Sequence, residues 1–288
     1  MTAPQQKVWF VTGVSSGFGR ELARAALKRG YTVLGTMRQE SQRAEFEAMA
    51  PGRAHARLLD VTQAATIPKL VSEVIEKFGN IDVLVNNAGY GLMGAVEELD
   101  DAESRRVLET NFFGTLNMVR AVLPHFRSRR AGHIVNMSSI AGLLGIAGVG
   151  LYCASKFAVT GLSESLAQEL APFGIRVTVV EPGGFRTNFA GGSMTLAKKL
   201  MTEYDGTPAA TPRGMREHYH GKEPGDPAKA AAAIITAVES PKPPLHLLLG
   251  PDALQYVRHK LAAFGEDISA WESVTSGTNY DSEAAHDH

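Results

Sequence analysis

Short apolar runs recur along the chain, each of strand length and most followed by a stretch with helical spacing. They are KVWFVT (7–12), YTVLGT (31–36), HARLLD (55–60), IDVLVN (81–86), HIVNMS (133–138), IRVTVVE (175–181) and LHLLLG (245–250). VWFV, VLV and VTVV are nearly continuous rather than alternating, as strands covered on both faces are. Helical patterns lie between and after them at 18–29, 40–49, 64–78, 101–128, 152–171, 227–239 and 252–263. Gly30 follows the first of these and Pro227 opens the one at 227–239, both in the expected places for helix punctuation. The alternation predicts a doubly wound α/β fold: a mostly parallel seven-stranded sheet with helices on both faces.

Two regions break the rhythm. Residues 188–226 form a long insertion between a strand and the next helix, a length that suggests a functional lid. Residues 275–288 are polar and read as a flexible tail, with His286 and His288 as solvated residues rather than metal ligands. No Pro/Gly/Ser linker divides the rest, so 1–274 reads as one domain carrying the lid.

Composition narrows the function classes. Lys and Arg total 29 against 30 Asp and Glu, so no net field points to nucleic acid or an anionic membrane. The one cysteine, Cys153, leaves no intrachain disulfide and no multi-cysteine metal site, and fits a reducing compartment. The start, MTAPQQK, lacks a secretory pattern, so a cytoplasmic location is expected. Ile134–Ser155 carries no charge and is long enough to span a bilayer, but its Asn, Ser and Gly content reads as a buried strand, a loop and a helix start.

The chemistry begins at VTGVSSGFG. A strand ending at Thr12 delivers Gly13 to a tight turn, and Gly17 and Gly19 open a helix whose free N–H groups favour a phosphate. Ser15 and Ser16 add hydroxyl donors beside Phe18. The spacing is G-x-x-x-G-x-G, not the G-x-G-x-x-G of the common dinucleotide fingerprint. At the end of the second strand, where a carboxylate would accept from ribose hydroxyls, the sequence reads GTMRQE. Arg38 there suits a 2′-phosphate, so NADP(H) is favoured over NAD(H); a solvated strand-end arginine is the alternative. Asp60 suits either the adenine amino group or the opening turn of a helix.

Tyr152 and Lys156, in YCASK, share one helix face. An ammonium beside a phenol favours the phenolate, which tunes a tyrosine for acid/base work. Ser139 ends the HIVNMSS strand with Ser138 as its rival, NNAG (86–89) ends the fourth strand, and Asn111 falls mid-helix, where asparagine is unfavourable. Cys153 and the isolated His218 and His220 read as structural, and no metal constellation appears.

With TGVSSGFG, Asp60, NNAG, Asn111, Ser139, Tyr152, Lys156 and PGGFRT (182–187) in this order, the chain resembles the short-chain dehydrogenase/reductase family over residues 6–250. The resemblance implies a Rossmann-type fold, and its glycine pattern is the one present here. It implies that Ser139 orients a carbonyl or alcohol, Tyr152 moves the proton, Lys156 binds the nicotinamide ribose and lowers the tyrosine pKa, and Asn111 holds a water leading to Lys156. The cofactor contacts it implies are Gly13, Ser15, Ser16, Gly17, Phe18, Gly19, Arg38, Asp60, Val61, Asn87, Ala88, Gly89, Tyr152, Lys156, Pro182, Gly183, Phe185 and Thr187. It further implies a homo-oligomer, dimer or tetramer, formed through the helices near 101–128 and 152–171.

The expected partner is a small carbonyl or alcohol substrate, with neither nucleic acid nor membrane. Pocket walls are expected from Tyr90–Met93, 140–149, Gly183–Phe185 and the lid. Leu143, Leu144, Ile146, Val149 and Phe185 make an apolar substrate the preference, with Arg213 and Arg216 the lid's candidate carboxylate binders. An NAD(H)-preferring dehydrogenase and a dinucleotide-sensing regulatory protein are the alternatives.

Overall fold

Strand β1 (Val8–Val11) shows how the sheet is held. Trp9 and Val11 point into one core and Val8 and Phe10 into another, so all four are buried. That two-sided burial explains why the run does not alternate. The computed structural model describes residues 7–280.

Helix α1 (Gly17–Lys28), β2 (Thr32–Met37), α2 (Arg43–Glu47), β3 (Ala54–Leu58), α3 (Ile67–Phe78) and β4 (Val83–Asn86) make the first half. A short β5 (Gly91–Met93) follows, then α4 (Asp101–Leu108), α5 (Gly114–Arg129), β6 (Gly132–Met137) and α6 (Gly150–Leu170). The remainder is β7 (Ile175–Pro182), β8 (Met194–Leu196), α7 (Met215–His218), α8 (Pro227–Glu239), β9 (His246–Leu249) and α9 (Pro251–Ser276). Seven strands form one parallel sheet in the order β3-β2-β1-β4-β6-β7-β9. The chain winds outward from β1 in one direction, then returns to add β4 on β1's other side. Loops beyond β1 and β4 splay apart there, at the carboxyl ends of the strands, which makes the crevice where such sheets bind ligands.

One core packs α1 and α8 on the sheet, and the other packs α3, α5 and α6. The single-domain, doubly wound Rossmann-type architecture expected from the pattern is present. All seven expected strands occur; β5 and β8 were not expected. These two pair with each other in parallel, Gly91 opposite Met194. At three residues each they are too short to carry a pattern of their own.

Four readings need correction. The helix expected over 101–128 is interrupted by a π-helical turn, Glu109–Phe113, which holds Asn111. The stretch 40–49 is a 3-10 turn followed by the five-residue α2. The last helix does not stop at 263: it continues to Ser276, and Thr275 belongs to it rather than to a tail. Gly265 is carried inside this helix, with nothing within 4 Å of where a Cβ would lie. His286 and His288 lie outside the described residues. Among the described residues no helix is long and apolar enough to cross a membrane, and Ile134–Ser155 forms most of β6, a loop and the start of α6.

Candidate active site

The glycine spacing has a packing cause. Gly13 turns with φ +71 and Gly17 with φ +57, the left-handed region that glycine enters without strain. Gly19 is helical, yet a Cβ on it would lie 2.2 Å from the Gly13 carbonyl oxygen and 2.4 Å from Asn87 Nδ2. The first turn of α1 therefore sits directly on the strand–helix turn. Asn87 locks it: Nδ2 donates to the carbonyls of Thr12 and Gly13, each at 2.9 Å. The Thr12 hydroxyl accepts from the backbone N–H groups of Asn87 (2.9 Å) and Ala88 (3.0 Å). TG and NNAG thus form one unit across β1 and β4.

At the N-terminus of α1, Ser16 makes no side-chain cap and the first turn has no acidic residue, which suits it to an anion. Ser15 lies in the same turn, and the Phe18 ring meets Phe185 edge-on at 5.2 Å, joining the turn to PGGFRT. Between them opens a cleft of about 300 Å3 lined by Gly17, Glu21, Arg186, Thr187, Asn188, His220, Gly221 and Pro227. Pro182 ends β7, and Gly183 N–H donates to Leu249 O at 2.9 Å. Thr187 Oγ1 accepts from Phe189 N–H at 3.2 Å, which fixes the chain as it enters 188–226.

Arg38 follows the end of β2, exposed, with no ion pair or hydrogen bond among the described residues. Thr36 is buried and accepts from Gly13 N–H at 3.3 Å, and Met37 is in the core, so neither substitutes for a carboxylate. Asp60 is exposed, and its Oδ1 accepts from Thr62 N–H (3.0 Å) and Thr62 Oγ1 (2.8 Å) in the turn that precedes the 3-10 turn Ala64–Thr66. The Val61 side chain turns into the core. A Cβ on Gly114 would meet it at 2.6 Å.

Beyond NNAG, Asn111, Ser139, Tyr152 and Lys156 come together. The Asn111 side chain is fixed on three sides: Oδ1 accepts from Tyr90 N–H at 3.0 Å, and Nδ2 donates to Tyr90 O and Ser155 Oγ, each at 2.9 Å. A Cβ on Gly89 would meet Asn111 Oδ1 at 2.9 Å and Lys156 Nζ at 3.8 Å, so only glycine leaves that space clear. Lys156 is buried, donates to Met137 O at 2.8 Å, and holds its Nζ 5.8 Å from the centre of the Tyr152 ring. Burial lowers the lysine to about 8.

Burial pushes the Tyr152 phenol well above its ordinary value, while a hydrogen bond with Ser139 pulls it back. The expected lowering by Lys156 does not govern here, because the lysine points at a carbonyl and desolvation dominates. Ser138 is excluded as the partner: it is buried and bonded to Lys156 O (3.1 Å) and Thr160 Oγ1 (2.9 Å). Burial likewise raises the Cys153 thiol, which packs as an apolar residue.

Met93, Ile146, Val149, Met194 and Phe189 gather around Tyr152, with the Phe189 ring 5.7 Å from the phenol ring. Phe185 instead joins the core beneath α1. The 188–226 segment is fastened at several points. Glu98, fully buried, accepts from Ala95 N–H (2.8 Å) and Met201 N–H (2.7 Å) and pairs with Arg213. Glu103 accepts from Lys198 N–H at 3.1 Å. Arg213 is thereby committed to Glu98 and Asp205 and is not free for a substrate carboxylate, while the Arg216 side chain lies outside what is described.

Sequence reasoning missed Arg186, Ser155, Phe189 and the Glu98–Arg213 latch. Arg186 lay inside a quoted motif; the latch pairs residues far apart in sequence and left no local signal. His218 bonds Gly214 O and His220 lies 4.0 Å from Glu223, and no metal-binding group of three occurs among the described residues.

A doubly wound sheet, a glycine-cleared turn at its switch point and a serine–tyrosine–lysine group beside it define a dinucleotide-binding oxidoreductase fold. Residues 7–195 match the family model "short chain dehydrogenase". The chain belongs to the short-chain dehydrogenase/reductase family of oxidoreductases. It is 38% identical to a 3-ketodihydrosphingosine reductase of Bacteroides thetaiotaomicron over 86% of this chain and 89% of that one. A short-chain dehydrogenase structure from Streptomyces avermitilis aligns at 43% identity and TM-score 0.89, covering 96% of this chain and 100% of that one. The closed form of a serine dehydrogenase complexed with NADP+ aligns at 28% identity and TM-score 0.73, covering 85% and 94%.

Proposed function

We propose that the chain is an NADP(H)-dependent carbonyl reductase or alcohol dehydrogenase acting on an apolar substrate, with Tyr152 as the acid/base. The observation that carries it is the cluster in which Ser139 bonds Tyr152, Lys156 lies beside the Tyr152 ring, and Lys156 and Asn111 border the space kept clear by Gly89. The residues present fit a dinucleotide. The α1 N-terminus carries no side-chain cap and no acidic residue in its first turn, the glycines let that turn pack directly on β1 and NNAG, and Gly17, Arg186 and Thr187 line the adjoining cleft.

When bound, the dinucleotide supplies or accepts a hydride. The protein's own part is proton transfer and orientation. In reduction the substrate carbonyl oxygen lies between the Ser139 and Tyr152 hydroxyls; as its carbon gains hydride, Tyr152 gives the oxygen its proton. The alcohol leaves, and Tyr152 regains a proton through Lys156. Oxidation runs the same steps in reverse. A phenol this deeply buried is a poor acid until a positive charge lies near its oxygen. In this reading Lys156, whose Nζ is 5.8 Å from the ring centre and bonded to Met137 O, supplies that charge when it turns from the carbonyl. Asn111 fixes the π-helical turn beside Lys156, and the resemblance gives it a water on the proton route.

Support for the cofactor's 2′-phosphate is Arg38, exposed just beyond β2 with no ion pair or hydrogen bond among the described residues, together with the NADP+ complex of the serine dehydrogenase. The apolar wall of Met93, Val149, Met194 and Phe189 favours an apolar ketone or alcohol, in keeping with the sphingoid ketone named for the Bacteroides relative. NADPH and NADH consumption across a carbonyl panel tests both claims. Turnover of apolar ketones with NADPH at least tenfold above NADH is expected. Turnover with NADH alone overturns the cofactor assignment, and tight nucleotide binding with no turnover leaves a dinucleotide sensor.

A further inference from the structure

The outer half of α9 stands in solvent. Every residue from Leu261 to its end at Ser276 is exposed, including Leu261 (62%), Phe264 (56%), Ile268 (55%) and Trp271 (63%). These side chains are not scattered. Leu254, Val257, Leu261, Phe264, Ile268, Trp271 and Thr275 are spaced alternately by three and four, the seam by which one helix packs along another. A helical segment of this length is marginal in water unless its apolar face is covered.

The charges beside the seam say what covers it. Arg258, His259 and Lys260 cluster toward the root, and Glu266, Asp267 and Glu272 toward the tip. Arg258 and the three acids make no ion pair among the described residues. The tip's acidic face, with no basic residue, is unsuited to an anionic bilayer surface. A second α9 running antiparallel meets both requirements: each basic root lies along an acidic tip.

We propose that α9 is a self-association surface, forming an antiparallel two-helix coil with α9 of a second copy of this chain. The helices cross at position 266, beside Gly265, where nothing fills the space of a Cβ. Leu261 of one copy then lies opposite Trp271 of the other, and Phe264 opposite Ile268. Arg258 and Glu272, equally distant from Gly265 in sequence, meet on the same flank. At its root α9 meets the helix near 152–171 through Lys260, which lies over the Phe157 ring and donates to Leu143 O. The seam from Leu261 onward stands clear of it and does not depend on the reaction assigned above.

The test uses the full chain. The molecule has two tryptophans, and Trp9 is fully buried, so concentration-dependent emission changes report Trp271. Sedimentation velocity and tryptophan emission are followed over a dilution series for wild type, Arg258→Glu, Glu272→Arg, the double variant and Ile268→Glu, with circular dichroism to confirm that each is folded. Each single charge reversal and Ile268→Glu should weaken association at least tenfold and red-shift Trp271. The double reversal should restore both. Equal mass and emission in all five proteins would overturn the proposal, as would failure of the double variant to recover. A Trp271 blue shift on phosphatidylcholine vesicles, with emission independent of protein concentration, would assign the face to lipid instead.

Discussion

Gly19→Ala separates two physical expectations cleanly. Gly19 is the third residue of α1 and is not among the positive-φ glycines, so helix propensity alone makes alanine the better residue by about 1 kcal/mol. The packing argues the reverse. The added methyl would lie 2.2 Å from Gly13 O and 2.4 Å from Asn87 Nδ2, contacts no real Cβ makes. Gly13 O is backbone, and Asn87 Nδ2 is held by two 2.9 Å bonds, so neither moves without breaking the TG–NNAG lock. Overpacking of this kind costs about 1–3 kcal/mol, and each hydrogen bond lost adds about 1 kcal/mol. Net destabilisation of about 1–3 kcal/mol is expected. Because the shift moves the turn that meets the phosphates, nucleotide affinity should fall by more than tenfold. Gly161→Ala is the control: it is an exposed position within α6 with nothing within 4 Å of its Cβ, and it should stabilise by up to about 1 kcal/mol. Urea unfolding and calorimetric NADPH titration read both quantities. A Gly19→Ala protein with wild-type stability and affinity would refute the reasoning.

Glu98→Gln removes the charge that holds Arg213, so limited proteolysis should cut within 188–226 faster, and KM should rise more than kcat falls. Burial pushes the Glu98 carboxyl up, but the Met201 and Ala95 N–H groups and Arg213 outweigh it and hold it low. The latch is therefore intact above the ordinary carboxylate range and lost as pH falls through the lowered value, which a proteolysis series against pH would show. Burial lowers His133 to about 4, so the unfolded chain takes a proton first as pH drops below 6.5. Stability should fall by about 2 kcal/mol between pH 7 and 5 on this account, and His133→Gln should remove that part of the slope in urea unfolding. Arg38→Asp should reverse the NADPH/NADH preference in steady-state kinetics; an unchanged ratio would show that the arginine does not read the 2′-phosphate.

What could be read in advance divides by range of interaction. Strands buried on both faces announce themselves, as Val8–Val11 does, because each residue must be apolar whatever its neighbours. The close pairing of Tyr152 with Lys156 is also local, set by helix geometry, and motifs placed Ser139 and Asn111 near it. Between Ser138 and Ser139 the hydroxyls point differently: Ser138 is spent on Lys156 O and Thr160, while Ser139 bonds Tyr152. Other features had no local signal. Glu98 and Arg213 meet across 115 residues, and β5 with β8 is defined only by their pairing. The direction of the tyrosine shift was misjudged because spacing shows the nearby ammonium but not the desolvation that opposes it. The end of α9 lies beyond the expected 263 because its apolar positions recur at helical spacing through Ile268 and Trp271.

The central claim is that Tyr152 moves the proton. Its direct test compares wild type and Tyr152→Phe for NADPH oxidation with the best ketone of the panel, alongside NADPH affinity measured by calorimetry. Removing one hydroxyl from a ring packed against Phe189 leaves the apolar wall intact, so affinity should stay within about threefold while kcat falls by at least about a hundredfold. Turnover in the phenylalanine variant close to wild type, with affinity unchanged, would contradict the account.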